Sequence, residues 1–296
     1  MKQLVFIFSL TILVLVIFVG CLFLTRNKGC FPIYSKKDYS AIGIKNPKND
    51  AALKIKQGKG ISFAPPEIAI LLYRPNLAEF IKKTYKTTPC DGYLSKYVFF
   101  LDKADKKIAI VSNFDIFAPG VTYIVEKLIA YGVKKIIAIG SAGSLQPKLS
   151  AGSVVVCDRA IRDDGISQHY IPPSYDIKGP KQMVNMFQDI LKKANIPYWT
   201  GASWTINAIY RETPQEVDYY KKQNVLTVDA EAAALFAVGK HRNVPIGIVL
   251  VISDVLLSSG VWKKTVETIK RTEIVLKSVL QATIDYLISF YEQEKS

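Results

Sequence analysis

A chain of 296 residues with a hydrophobic content of 49% can bury the core of one large α/β domain and still carry an appendage. Its formal net charge of +14 comes without a zinc-finger, RNP or basic-helix signature. The charge therefore favours solubility and attraction to acidic lipid, and nucleic-acid binding is not expected. The 2 histidines exclude a histidine-rich metal site, and the 4 cysteines lack metal-ligand spacing, which leaves pairing of Cys30 with Cys90 open.

The first stretch of the chain, residues 3–24, carries no charge. As a helix rising about 1.5 Å per residue, it is long enough to cross the roughly 30 Å hydrocarbon core of a bilayer. We therefore predict that residues 1–25 form a membrane anchor or signal segment, with an uncleaved anchor favoured. The alternative is an exported lipoprotein modified at Cys21, because residues 18–21 approximate a lipobox. Basic residues after the segment favour a cytoplasmic domain, whereas its short Met-Lys start resembles an export signal, so the side of the membrane stays open.

The rest of the chain divides into a linker and a folded domain. Residues 26–60 are basic, polar and punctuated by Pro and Gly, which predicts a linker, and residues 61–296 form the domain. Hydrophobic periodicity predicts strands at residues 67–73, 97–101, 107–114, 134–140, 153–161, 198–207, 225–228 and 246–252. Helices are predicted at residues 75–83, 119–131, 181–194, 214–223, 231–239 and 264–292. We expect an α/β fold, a single three-layer domain in which helices flank a central mixed, twisted β-sheet.

Small residues follow the strand predicted at residues 134–140. The sequence there reads Gly140-Ser141-Ala142-Gly143, and its backbone N–H groups together with the Ser141 hydroxyl would form an anion nest. The same composition is common in ordinary tight turns. The pattern therefore allows a phosphate site without requiring one.

Two acidic residues follow the last two predicted strands. In mixed and parallel sheets, ligands bind at the carboxyl ends of the strands, where Glu231 and Asp254 fall. Glu231 begins a helix, which favours its anion, and a carboxylate can accept two hydrogen bonds from the diol of a ribose. Asp254 follows a wholly apolar strand, where burial would favour the protonated form that donates to a leaving base. Helix capping requires the same residue types, so spacing alone leaves both interpretations open.

These residues also carry a resemblance. Residues 228–238, VDAEAAALFAV, and residues 251–254, VISD, resemble the ribose-binding helix and base-protonating strand end of the nucleoside phosphorylase and nucleosidase superfamily. This superfamily includes purine nucleoside phosphorylases, uridine phosphorylases and methylthioadenosine nucleosidases, and the resemblance extends over about residues 67–262. It implies a nucleoside phosphorylase-like fold, a catalytic acid at Asp254, and a sugar contact at Glu231 and Ala230. It further implies a nucleobase wall at Ile209 and Tyr210, and a phosphate contact at Gly140 and Ser141.

The sequence departs from the superfamily where phosphate would bind. Ala138 stands where phosphorylases place a phosphate-binding Arg, and Arg74, in an altered first βα turn, is the available substitute. Losing one bidentate Arg from a partly buried phosphate site would weaken phosphate binding by on the order of a few kcal/mol. The Ser-Ala-Gly sequence after Gly140 is similar to that of hydrolytic nucleosidases, but their water-activating Glu is absent and Asn76 lies nearest to its place.

Three functions therefore stay open. The first is a nucleoside phosphorylase that cleaves a purine ribonucleoside, with Asp254 protonating the base at N7, to give free base and ribose 1-phosphate. The second is a hydrolytic nucleosidase on the same fold, and the third is a catalytically weakened nucleoside-binding or scaffold protein. We expect no cofactor or metal, with inorganic phosphate as co-substrate. The resemblance implies a homo-oligomer, because subunits of the superfamily share active-site residues.

Overall fold

The computed structural model describes residues 37–293. The predicted membrane segment at residues 3–24, with Cys21, and the cysteine at position 30 lie outside the described residues. The chain divides into two units, Met1–Asp38 and Tyr39–Ser296. The folded domain belongs to the second unit.

The described residues contain one mixed sheet. Its strands are β1 (Ile68–Leu72), β2 (Thr87–Pro89), β3 (Val98–Leu101), β4 (Ile108–Val111), β5 (Lys135–Ser144), β6 (Val154–Asp163), β7 (Asp176–Lys178), β8 (Tyr198–Ile206), β9 (Thr227–Asp229), β10 (Ile246–Leu256) and β11 (Trp262–Lys263). Their order is β11-β10-β6-β8-β9-β5-β1-β4-β3-β2, with β7 paired to β6. Because β10 also pairs with β5, the strands β5, β10, β6, β8 and β9 close into a ring. This closure was not part of the sequence prediction.

Seven α-helices accompany the sheet within residues 37–293. They are α1 (Pro47–Lys56), α2 (Pro75–Thr84), α3 (Phe117–Tyr131), α4 (Lys181–Lys193), α5 (Pro214–Lys222), α6 (Ala232–Arg242) and α7 (Val266–Gln293). Proline in the first turn fixes the start of α1, α2 and α5. A capping box between Thr213 and Glu216 adds to the start of α5.

The core lies on both faces of the sheet. Residues of α3 and α6 form one apolar cluster with strand residues such as Leu71 and Ile248. Residues of α2, α4 and α7 form another with Ile70 and Val249, their neighbours along the same strands. Because successive strand residues point to opposite faces, β1 and β10 must be apolar throughout. The three-layer α/β prediction is confirmed.

Helix α1 lies inside the range predicted to be a linker. The Asn46 side chain accepts from the Lys48 N–H at 2.9 Å and Pro47 occupies the first turn. Ala51 is its only buried residue, and the helix packs against α3. Hydrophobic periodicity missed α1 because its apolar side chains do not gather on one face of the helix.

Among residues 37–293, α7 is the helix whose length and composition would also suit a membrane span. Its buried residues, among them Leu276, Leu280 and Leu287, pack on the sheet. Exposed positions between them carry charged side chains such as Lys270 and Asp285. This pattern confirms the predicted amphipathic helix that covers the sheet.

Candidate active site

A cavity of about 650 Å³ lies where several strands end. Its walls come from residues at or just beyond the carboxyl ends of β1, β5, β8, β9 and β10. The volume falls within the range of small-molecule sites. Every site residue predicted from the sequence lines this cavity: Arg74, Gly140, Ser141, Ile209, Tyr210, Ala230, Glu231 and Asp254.

Two carboxylates at the start of α6, those of Asp229 and Glu231, have different hydrogen-bond partners. Asp229 is buried and accepts from the backbone N–H groups of Glu231 at 2.9 Å and Ala232 at 2.7 Å. The hydroxyls of Ser203 and Thr205 also donate to it, at 2.7 and 2.9 Å. Burial raises the pKa of Asp229, and these four hydrogen bonds oppose that effect. Asp229 therefore caps α6, whereas the Glu231 side chain makes no capping bond to its own helix.

The Glu231 carboxylate instead meets the start of α3. Its Oε1 accepts from the backbone N–H of Phe117 at 2.9 Å. Burial, followed by the charge of Asp229, raises the pKa of Glu231 to about 7, and the Phe117 hydrogen bond lowers it. At neutral pH this carboxyl is therefore poised between its protonated and ionised forms.

Arg74 and Ser141 bring a cation and a hydroxyl together in the cavity. The Arg74 Nη2 donates to Ser141 Oγ at 3.1 Å. Beside them, the Tyr73 ring lies against Gly140, where a Cβ would meet ring carbons at 3.1 and 3.2 Å. Burial first, and then the charges of Glu231 and nearby Asp229, raise the pKa of Tyr73 well above its ordinary value. The Tyr73 hydroxyl therefore stays protonated, and Arg74 supplies the cation beside Ser141.

The predicted anion nest at residues 140–143 is wrong. These residues are not a turn, because β5 continues through them to Ser144. Ser141 pairs with Val251 of β10, and Gly143 pairs with Val228 of β9. In a strand, successive N–H groups point to opposite sides and serve the ladder, so they cannot converge on one anion. The Ser141 side chain still reaches the cavity.

Packing explains why small residues occupy this part of β5. A Cβ on Gly143 would lie 2.6 Å from Leu256 Cδ1 and 3.0 Å from Val228 Cγ1. Glycine here reflects close approach of neighbouring side chains, a cause that sequence composition cannot separate from a turn.

Asp254 lies within β10, which extends four residues beyond the predicted end at Ile252. The pairing with β5 shifts register between Ile252 and Asp254, and such a bulge re-aims side chains. The Asp254 carboxyl is half-buried. Its Oδ2 accepts from the indole Nε1 of Trp262 at 2.7 Å, and its Oδ1 accepts from the hydroxyl of Ser253.

Sequence reasoning missed several residues that line the cavity. Four of them are Ile116, Glu212, Trp262 and Lys264. Burial, then the charge of Asp254 and that of Glu216, raises the pKa of Glu212 to about 7. The one available signal was its place, three residues beyond the predicted nucleobase wall at Ile209.

Aromatic side chains lie at the mouth of the cavity. Tyr210 is 96% exposed and Trp262 is 64% exposed, whereas Ile209 is 40% exposed. The predicted wall residues therefore border the cavity, and Tyr210 makes little contact with the rest of the chain.

Other residues weighed in the sequence lie elsewhere. Ala138 is wholly buried in β5 and is not among the lining residues. The Asn76 side chain hydrogen-bonds to Glu273 on α7. Cys90 is a buried free thiol whose pKa is raised to about 11, chiefly by burial.

The sequence has recognisable relatives. Over 130 residues it is 31% identical to the purine nucleoside phosphorylase of Plasmodium falciparum (isolate 3D7), an alignment covering 43% of this chain and 53% of the relative. The match thus spans about half the length of that curated relative. A uridine phosphorylase of Haemophilus influenzae is 23% identical over 226 residues, covering 71% of this chain and 84% of the relative.

Solved structures share the fold. A uridine phosphorylase from Vibrio fischeri ES114 is 22% identical with a TM-score of 0.64, covering 78% of this chain and 93% of its own. An AMP nucleosidase from Bacteroides thetaiotaomicron is 20% identical with a TM-score of 0.65, and the match covers 85% of this chain and 100% of the nucleosidase chain. A family model described as the phosphorylase superfamily matches residues 67–289. Because this match covers most of the chain, the protein belongs to the phosphorylase superfamily.

Proposed function

We propose that this protein is a nucleoside phosphorylase that cleaves the N-glycosidic bond of a purine ribonucleoside with inorganic phosphate, releasing the free base and ribose 1-phosphate. The observation that carries the proposal is the Arg74–Ser141 pair, which shares one cavity with Glu231 and Asp254. Relatives named purine nucleoside phosphorylase and uridine phosphorylase support this activity.

Phosphate would bind at the Arg74–Ser141 pair. A guanidinium offers several N–H donors in a plane, and charge-assisted hydrogen bonds to phosphate are roughly twice as strong as neutral ones. In the free protein Arg74 donates to Ser141 Oγ at 3.1 Å. Phosphate would take over that donor, and the freed Ser141 hydroxyl would donate to a second phosphate oxygen. Arg74 would thus bind phosphate in place of the arginine that phosphorylases carry at the position of Ala138.

The sugar would bind at Glu231. Its ionised carboxylate can accept from two vicinal hydroxyls, while the Phe117 N–H fixes its orientation through Oε1. Ala230 lines the cavity beside it. This arrangement requires the anion, so riboside affinity should fall as pH drops through about 7, the pKa of free Glu231.

Cleavage needs stabilisation at both ends of the breaking bond. The transition state resembles an oxocarbenium ion, with negative charge growing on the leaving base. Phosphate held by Arg74 would lie near the sugar carbon, and an acid at the base end would neutralise the base. Ile209 and Tyr210 at the cavity mouth would contact the base, where aromatic stacking contributes about 1–3 kcal/mol.

The test is release of free base by the full chain in detergent from inosine, adenosine, uridine and methylthioadenosine, with and without phosphate. Release that requires phosphate supports the proposal. Release at the same rate without phosphate makes the protein a nucleosidase. No release from any of these substrates moves the function to nucleoside binding or scaffolding.

We further propose that residues 3–24 hold the domain at a membrane and that the protein is a homo-oligomer. The uncharged stretch supports the first, and the superfamily's shared active sites support the second. Membrane fractionation after a carbonate wash tests the anchor, and light scattering of the detergent-solubilised chain tests the oligomer. Recovery in the soluble fraction, or a monomeric mass, would contradict the respective part.

A further inference from the structure

The first residue after β1, Tyr73, brings a phenol to the wall of the cavity. Its ring lies against Gly140 of β5, where a Cβ would meet ring carbons at 3.1 and 3.2 Å. The Phe114 ring packs edge-on to it, with 5.4 Å between the ring centroids. Because contacts on both sides hold the ring, the Tyr73 hydroxyl has a defined position.

The Tyr73 hydroxyl is available to a ligand. Among residues 37–293, no protein group forms a hydrogen bond with it. Its oxygen is not sealed in the core either, as are the unpartnered oxygens of Thr122 and Thr227. A polar group that borders a cavity and lacks a protein partner is one that a bound molecule can satisfy.

Glu231 lies close to this hydroxyl. The segment 114–117 contacts both side chains, since the Phe114 ring packs on Tyr73 and the Phe117 N–H donates to Glu231 Oε1 at 2.9 Å. Burial first, and then the charge of Glu231, raises the pKa of the phenol. Because the phenol and the carboxylate are near each other but share no hydrogen bond, a ligand group can lie between them.

The two groups are chemically complementary. The phenol keeps its proton and donates a hydrogen bond, whereas the ionised carboxylate accepts one. A sugar hydroxyl matches both, because it donates one hydrogen bond and accepts others. A phosphate oxygen would match the phenol, but the charge of the carboxylate would repel the anion.

We propose that Tyr73 is a second sugar-binding residue, which donates its phenolic hydrogen to one hydroxyl of the ribose diol while Glu231 accepts from that same hydroxyl. This inference rests on the nucleoside site of the proposed function and adds a specificity-determining residue to it. The site then recognises the hydroxyl as both donor and acceptor. A sugar that lacks it would leave both protein groups unpaired and would bind less tightly.

The experiment measures the Kd of inosine, 2′-deoxyinosine and 3′-deoxyinosine by calorimetry, using the full chain in detergent at pH 8 without phosphate. At this pH Glu231 is ionised, because its pKa is about 7. Tyr73→Phe keeps the ring contacts and should weaken inosine binding about 5- to 10-fold. The deoxynucleoside that lacks the bonded hydroxyl should bind the parent and Tyr73→Phe equally, and the other should lose as much affinity as inosine.

Two controls separate ligand binding from folding. Tyr123→Phe is the matched variant, since Tyr123 is 60% exposed and does not line the cavity, and it should bind all three nucleosides as the parent does. The urea midpoint of Tyr73→Phe should be no lower than that of the parent, because the deleted hydroxyl has no protein partner. A lower midpoint would show a structural role for the hydroxyl and overturn the inference.

The pattern across the three nucleosides decides the outcome. Equal losses for all three, no loss for inosine, or an effect confined to the KM for phosphate in steady-state kinetics would overturn the role of Tyr73. If the parent binds nucleosides but releases no base, the phosphorylase proposal falls, and the same three Kd values still decide the sugar contact. If the parent binds none of the three, both proposals fall together.

Discussion

Glu231 offers a direct test of the electrostatics of the site through folding stability. Its pKa is about 7 in the folded chain against an ordinary value of 4.5. Between these two pH values the folded state holds a proton that the unfolded state releases. Stability is therefore lost as pH rises from about 4.5 to about 7, and the loss is complete above that range.

The difference between the two pKa values sets the magnitude. At about 1.36 kcal/mol per pH unit, ionising Glu231 destabilises the folded chain by up to about 3 kcal/mol above neutral pH. Gln has the same shape, keeps an oxygen for the Phe117 N–H and carries no charge. Glu231→Gln should therefore match the parent near pH 5 and exceed its free energy of unfolding by up to about 3 kcal/mol at pH 8.

The assay is urea unfolding of the full chain in detergent at both pH values. Fluorescence of Trp204, which is wholly buried, reports the transition. Glu79→Gln is the matched control, because the Glu79 side chain is 62% exposed, and it should show no pH-dependent gain. A Glu231→Gln variant that is no more stable than the parent at pH 8, or that gains equally at both pH values, would refute the reasoning.

Three further substitutions probe the cavity. Arg74→Ala should raise the KM for phosphate about 10- to 100-fold with the Kd for inosine unchanged, and an unaltered phosphate KM in steady-state kinetics would remove Arg74 from the phosphate site. Glu231→Ala should weaken inosine binding about 10-fold or more but change 2′-deoxyinosine binding less; calorimetry showing equal losses would argue against the diol contact. Gly143→Ala should cost about 1–3 kcal/mol in urea unfolding, because its Cβ would lie 2.6 Å from Leu256 Cδ1; an unchanged midpoint would show that Leu256 moves freely.

Much of the fold follows from apolar patterning. The run at residues 246–252 predicts a strand buried on both faces, and Ile248 and Val249 indeed point into opposite core clusters. Closure of β5, β10, β6, β8 and β9 into a ring does not follow from it, because pairing partners depend on contacts distant in sequence. Helix α1 was missed because burial of Ala51 alone leaves no periodic pattern.

The site was predictable where chemistry coincides with a strand end. Glu231 follows β9, and Asp254 lies near the end of β10. The topology of the sheet therefore brings both residues to one crevice. Glu212 lies in a loop with no periodic pattern, and its neighbour Asp254 becomes visible only in three dimensions. The glycines around Ser141 were predicted to form a turn, but they lie inside a strand. Glycine is needed there because neighbouring side chains pack closely against the backbone.

The most direct test of phosphorolysis follows the sugar product. Inosine, inorganic phosphate and the full chain in detergent are incubated together, and ³¹P NMR monitors ribose 1-phosphate while absorbance monitors hypoxanthine. We predict that the two products form in equal amounts and that Arg74→Ala reduces both. Hypoxanthine released with free ribose and no ribose 1-phosphate would contradict the account and make the protein a nucleosidase.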